Sequence, residues 1–352
     1  MTRTNAWRAV WAGGLLVSGG AHAQVLDRVE AGAPCTSDIG CQITLDPDRA
    51  SFPAQACQGD GAVSVQAAGE RLLVVIRSPE LPENISGSLF TRHIDQIGEA
   101  CWGAQWRLPF LAQSRLQFYA FDAQGRRLGQ VAFEGDSAGP AVEHGELTAP
   151  IDSMTIFDPT AGIDRRVHVY VPPELGNSRA SVLILPDGQA IGQYARIVQR
   201  MIDDERIPPL LIVALEARMD TPSARNLEYV PSQDSDMHQS FLGFFEDEFL
   251  PWIATHYHGH VSRDGWILFG ASASATFALS ASQLPAPISR IIAASPAPSD
   301  MDFLEGAPMP FVQVHLAAGL YETQFRETAD GYAAKLLAHA VPLRTLCYGL
   351  WP

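Results

Sequence analysis

The chain has 352 residues, 47% hydrophobic and only 18% charged, a balance that supports a sizeable buried core and excludes a disordered polymer. Acidic residues outnumber basic ones by 39 to 24, the net charge is −15, and no basic patch interrupts it, which argues against nucleic acid as a partner. The length suits two domains, or one large domain with an addition.

Residues 1–23 read as a secretory signal. Arg3 and Arg8 form the positive start, an apolar stretch follows, and Ala21-His22-Ala23 supplies an A-x-A-type cleavage site. Gly13, Gly14, Gly19 and Gly20 interrupt that stretch, so it is too short for a membrane span, and no later segment reads as transmembrane. Export to the periplasm or beyond is the expectation, and it moves the net charge from −15 to −17 by removing two arginines. Cys35, Cys41, Cys57 and Cys101 cluster near the start and are expected to form two disulfides, in any of three connectivities. No C-x-x-C spacing supports a metal site in their place. Cys347 stands alone at the far end and is placed in a buried strand.

Residues 24–135 are predicted to form a small β-rich domain of the β-sandwich type, with strands over 62–68, 71–77, 115–121 and 130–133 separated by Gly- and Asp-rich turns. Trp102 and Trp106 are candidates for its core or for a binding surface. Asn84-Ile85-Ser86 matches a glycosylation acceptor, which has meaning only in a eukaryotic host. Residues 136–150, rich in Gly, Ser, Pro and acidic side chains and lacking periodicity, read as a linker.

Residues 151–352 carry a different pattern. Runs at 154–157 and 166–171 flank the turn Pro159-Thr160-Ala161-Gly162 and predict a hairpin. Strands over 181–185, 210–215, 266–270, 290–294, 311–317 and 343–348 then alternate with helices over 193–202, 238–256 and 326–340, besides one after residue 272. Continuous apolar strands alternating with helices predict an α/β fold, a mostly parallel sheet covered on both faces, with ligands beyond the carboxyl ends of its strands.

One such end is Trp266-Ile267-Leu268-Phe269-Gly270-Ala271-Ser272-Ala273-Ser274. A buried strand that breaks at glycine and restarts as a helix, with a serine between, has the layout of a nucleophile elbow, G-x-S-x-G. Ser274 replaces the final glycine and is still small. The alternative is a strand and an Ala/Ser-rich helix with no chemistry.

Around this motif stand Val169-Tyr170-Val171-Pro172-Pro173, Leu185-Pro186-Asp187-Gly188-Gln189, Ile207-Pro208-Pro209, Arg225-Asn226-Leu227-Glu228-Tyr229 and Phe249-Leu250-Pro251-Trp252-Ile253. In this order, over residues 154–349, the series resembles the enterochelin esterase branch of the α/β-hydrolases, related to the esterase D and feruloyl esterase group. The resemblance implies an α/β-hydrolase fold and acyl transfer without a cofactor, on a small-molecule ester. Ser272 would attack the carbonyl carbon. The backbone N–H of Ala273, with one from Gly188 or Gln189, would stabilise the oxyanion. Glu322, in Gly319-Leu320-Tyr321-Glu322, is the candidate acid ahead of Asp330, its alternative role being a solvated carboxylate opening the next helix. Arg225 is a candidate for meeting an anionic substrate; as a structural residue it would pair with Glu228 at i,i+3.

The base is missing from its place. The family carries a Gly-Gly-His-Asp type loop after the last strand, where this chain reads Tyr348-Gly349-Leu350-Trp351-Pro352. Leu350 stands at the histidine position. His315 falls mid-strand, His339 in the preceding helix, and His256, His258 and His260 form a loop cluster without an acidic or cysteine partner spaced for a metal. Three explanations stand open: a shortened or frame-shifted esterase, a histidine supplied from elsewhere, or a non-catalytic binding protein on the same scaffold.

Overall fold

The computed structural model describes residues 26–31, 33–45, 57–58, 61–139, 141–176, 178–221, 223–259, 261–285, 287–299, 312–338 and 342–349. The signal segment, His260, His339 and Leu350 lie outside these residues, as does the side chain of Cys347. By contact density the chain divides into two units. One extends to Ala141 and includes Gly319–Thr323; the other comprises Val142–Ala318 and Gln324–Tyr348.

The first unit is a pair of β-sheets. Strands β1 (Arg28–Val29), β2 (Cys41–Ile43), β3 (Val63–Ala68), β4 (Arg71–Arg77), β6 (Asp95–Gly98) and β7 (Cys101–Arg107) form one, in the order β1-β2-β7-β4-β3 with β6 also on β7. Strands β5 (Asn84–Gly87), β8 (Arg115–Phe121) and β9 (Arg127–Glu134) form the other. Leu72, Val74, Ile76 and Trp106 of the first sheet share a core with Ile85, Leu116 and Phe118 of the second. The Trp106 and Phe118 rings stack at 5.7 Å. Trp106 is thus a core residue; Trp102 is half-buried and its indole N–H donates to Ser78 O at 3.0 Å. The run Leu72–Ile76 is continuously apolar because β4 is covered on both faces: Leu73 and Val75 pack with Leu45, Cys57 and Cys101. Disulfides Cys35–Cys41 and Cys57–Cys101 select one of the three connectivities.

Residues 142–150 form no helix or strand and belong to the second unit. Glu143 pairs with Arg200 at 2.7 Å and the Gly145 N–H donates to Arg196 O at 2.9 Å. The unit holds one eight-stranded sheet, β10 (Ile151–Asp158), β11 (Ile163–Tyr170), β13 (Leu211–Leu215), β12 (Ala180–Leu185), β14 (Val261–Ala271), β15 (Ile288–Ala294), β16 (Gln313–Gly319) and β17 (Leu343–Gly349), in that spatial order. The β10–β11 hairpin and the β11–β13 pair are antiparallel; β13, β12, β14, β15 and β16 are mutually parallel. The hairpin turn is fixed by Asp158, whose Oδ1 accepts from the N–H groups of Thr160 and Ala161, while Gly162 takes φ 66°.

Helices α1 (Ile191–Asp203), α2 (Ala224–Tyr229), α3 (Ser235–Phe244), α4 (Leu250–His256), α5 (Ala273–Ala281) and α6 (Thr323–Ala338) join the strands. The single helix expected over 238–256 is in fact α3 and α4 joined by a π turn, Phe245–Phe249. The reason lies in the spacing. Phe241, Phe245, Phe249 and Ile253, each at most 1% exposed, recur every four residues. On an α-helix that spacing drifts by about 40° per step, and the wider turn cancels the drift. These rings close on Phe277 of α5, at 4.9 Å from Phe241 and 5.1 Å from Phe245. Under them lies a buried ion cluster in which Arg165 Nε donates to Asp158 at 2.6 Å and Arg165 Nη2 to Glu228 at 2.8 Å. Among the described residues no helix is long and apolar enough to cross a membrane.

Candidate active site

At the carboxyl end of β14 the chain reverses into α5 through Ser272, which takes φ 57° and ψ −126°. Such a conformation costs a non-glycine residue about 1–3 kcal/mol and persists only where its surroundings over-determine it. Here they do. The Ser272 N–H donates to Ala294 O at 2.9 Å, and its carbonyl accepts from Ala275 N at 3.0 Å and Ala297 N at 3.3 Å. Gly270 is required by close approach, since a Cβ there would run into the Ser274 carbonyl and lie 2.6 Å from Ala275 N. Ser272 itself is half-buried, so its hydroxyl is not sealed in the core.

Ser274 does more than stay small. Fully buried, its Oγ donates to Ala271 O at 2.8 Å and accepts from Ala271 N at 2.9 Å, closing both backbone groups of the residue before Ser272. The departure from the final glycine of the motif is thus filled by a hydroxyl that braces the same bend.

The neighbouring parallel strand β12 ends at Leu185, and Pro186-Asp187 leads into a single 3-10 turn, Gly188–Ala190. Gly188 lies against the end of β13, where a Cβ would come within 2.6 Å of Glu216 N. Among the described residues no acceptor takes up the backbone N–H of Gly188, Gln189 or Ala273. Three donors therefore stand unspent at the strand ends that flank Ser272. Tyr194, in the first turn of α1, sets its ring edge-on to Phe269 at 5.1 Å. Burial, and then the negative charge of Asp187, push its phenol far above the ordinary range.

Arg225 corrects the pairing expected from sequence. It does not meet Glu228, which Arg165 occupies. Its Nε and Nη2 donate to Asp187 at 2.6 and 2.8 Å, and Nη2 also donates to Ala271 O at 3.2 Å. Burial works against the charge, but the Asp187 carboxylate outweighs it and holds the guanidinium above its usual value. The Tyr229 ring lies beneath at 5.4 Å, and the Tyr229 hydroxyl donates to Pro186 O. Asp187 is the residue that sequence reasoning did not single out, although the quoted stretch around Gly188 contains it; Ser274 was read only as a small replacement for glycine.

Glu322 belongs to Gly319–Thr323, which groups with the first unit. Its carboxylate is turned back on its own turn and accepts from Gly319 N at 2.7 Å, so a Cβ at residue 319 would come within 2.8 Å of that side chain and displace it. Asp330 lies on the exposed side of α6. Among the described residues no side chain is hydrogen-bonded to Ser272 Oγ, histidines included. His315 is half-buried on β16; burial, with Arg290 and Arg344 nearby, pushes its pKa down. His238 is fully buried with Nδ1 on Glu228 O at 2.9 Å. His168 joins Ser153, 2.7 Å from Nδ1, to Glu216, 2.9 Å from Nε2, fastening the hairpin to the end of β13. His256 and His258 are exposed and bonded to local carbonyls, and no group of three or more metal-ligating side chains occurs among the described residues.

No protein-family model matches this sequence, and no curated protein matches it. Solved structures do. The enterobactin esterase of Shigella flexneri, solved in the presence of enterobactin, superposes with a TM-score of 0.61 at 14% identity, over 84% of this chain and 91% of that one. The ferric enterobactin esterase of Salmonella typhimurium gives 0.59 at 13% identity, over 82% and 92%. At such identities the likeness shows the fold, which is that of the enterobactin esterases and of the α/β-hydrolase type.

Proposed function

We propose that this chain is an exported serine esterase that cleaves a carboxylic ester through an acyl-enzyme on Ser272. The observation that carries the reading is the bend itself: a half-buried serine held at φ 57° between a central parallel strand and a helix, beside backbone N–H groups that meet no acceptor among the described residues. Ser272 Oγ adds to the ester carbonyl carbon, and the oxygen that becomes negative is met by Ala273 N–H and by Gly188 or Gln189 N–H. The C–O bond to the alcohol breaks and the departing oxygen carries off the proton given up by Ser272 Oγ; water then cleaves the acyl-enzyme, returning a proton to Ser272 and releasing the acid. Each well-placed donor is worth about 10²–10³ in rate. No cofactor takes part in this reading. The signal-like start and the two disulfides support export to the periplasm or beyond. The substrate class, a small ester such as a catecholate siderophore linkage, comes from the resemblance and from the names of the structural neighbours.

A second reading, a binding protein on the same scaffold, draws on the lack of a described histidine at Ser272. Hydrolysis of p-nitrophenyl esters by the unaltered chain and by Ser272→Ala separates the two. Loss of turnover in the variant supports the esterase; equal background in both supports the binder.

A further inference from the structure

An oxyanion hole built from two separate loops works only if those loops hold a fixed distance from each other. Here one donor follows the nucleophile at the end of β14, and the others follow β12, and no covalent link shorter than eighty residues joins them. The side chain that spans them is Arg225. Its guanidinium takes both oxygens of Asp187, the residue before Gly188, and the carbonyl of Ala271, the residue before Ser272. All of this is inaccessible to solvent to a large degree: the side chains of Arg225 and Asp187 are 11% and 8% exposed. The arginine is in turn aimed by its own short helix, whose Glu228 is tied to Arg165 and whose Tyr229 reaches Pro186 O.

We infer that Arg225 and Asp187 form a positioning pair that sets the spacing between the nucleophile bend and the Gly188 turn, rather than a contact for substrate. The inference rests on the esterase reading and deepens it. A planar guanidinium bonds two partners at once in a fixed geometry, which a lysine ammonium cannot reproduce. Because its charge is already matched by Asp187, the arginine contributes geometry, not attraction for an anionic ester.

The test is steady-state hydrolysis of p-nitrophenyl esters by Arg225→Lys and by the isosteric Asp187→Asn, with covalent labelling of Ser272 by a fluorophosphonate as a second readout. Misplacement of catalytic groups by about 1 Å costs about 10²-fold. Arg225→Lys should therefore lose about 100-fold in kcat with KM within about threefold of the unaltered value, and labelling of Ser272 should slow in parallel. Guanidinium ion at millimolar concentration should restore part of the rate to Arg225→Ala and none to Asp187→Asn. If Arg225→Ala does not fold, the lysine and asparagine variants, whose melting is recorded alongside, carry the test. A rise in KM at constant kcat, or unchanged kcat in both variants of a protein that is labelled at Ser272, overturns the positioning pair and leaves the esterase reading standing. Absence of labelling and turnover in the unaltered protein overturns both.

Discussion

Replacing Ser274 by alanine isolates the feature that distinguishes this elbow. The Oγ of Ser274 is the partner of both Ala271 backbone groups, at 2.8 and 2.9 Å, and the site is 1% exposed. The Ala271 carbonyl keeps the Arg225 bond at 3.2 Å. The Ala271 N–H keeps no described partner, and a stranded buried donor costs about 1–3 kcal/mol, with the second lost bond adding about 1. The sum is about 3 kcal/mol, which for a unit of this size lowers the melting temperature by about 6–12 °C. Ser280→Ala in the same helix is the control. Its Oγ donates at 3.2 Å to the Thr276 carbonyl, a main-chain acceptor within the helix, so its loss should stay within about 0.5 kcal/mol. Thermal unfolding followed by circular dichroism reads both. Equal melting of the two variants would refute the reasoning, because it would mean that Ser274 braces nothing that a methyl group does not.

Arg165→Met removes the shared cation of Asp158 and Glu228, whose side chains are 1% and 3% exposed, leaving Asp158 its two backbone donors and Glu228 only Arg218 at 3.7 Å. Breaking a buried pair from one side costs about 3–5 kcal/mol, so melting should fall by about 10 °C, and a variant that melts with the unaltered chain would contradict this. Burial depresses the pKa of His238, an effect only partly offset by its bond to the Glu228 carbonyl. The unfolded chain therefore takes up a proton near 6.5 that the folded chain resists, and the contribution of His238, complete above that pH, is lost as pH falls below it. Urea unfolding between pH 7 and 5 should show a shallower fall for His238→Gln than for the unaltered chain; parallel curves would speak against it.

How much of this was legible in the sequence depended on whether the determining contacts were local. Strands β4 and β8 were read with their bounds because their apolar pattern is set by their own residues. Strand β7 was not read, since Cys101-Trp102-Gly103-Ala104-Gln105 has neither alternation nor a continuous apolar run and is buried by what packs on it. Strand β14 starts five residues before the apolar run, at Val261, which pairs with Ala180 of the neighbouring strand, while the polar Ser262-Arg263-Asp264 between it and the run hides the start. The elbow was legible from small residues around Ser272, whereas the work of Ser274 depends on a bend that exists only in three dimensions. Arg225 is the clearest case. Local helix spacing points to Glu228, but the partner it takes lies 38 positions away and the partner Glu228 takes lies 63 away. Charge pairing in a buried setting follows tertiary proximity, which spacing rules do not encode.

The brevity of α2 has a consequence for the order of events in folding. Six residues are far too few to hold a helical turn in water, so Ala224–Tyr229 takes shape only against surfaces that already exist: the hairpin that carries Arg165, the exit of β12 and the crest of β14. The spacing between the Gly188 turn and the Ser272 bend therefore depends on the sheet and the hairpin being in place. A chain whose sheet is incomplete would carry all of these residues without the spacing between them.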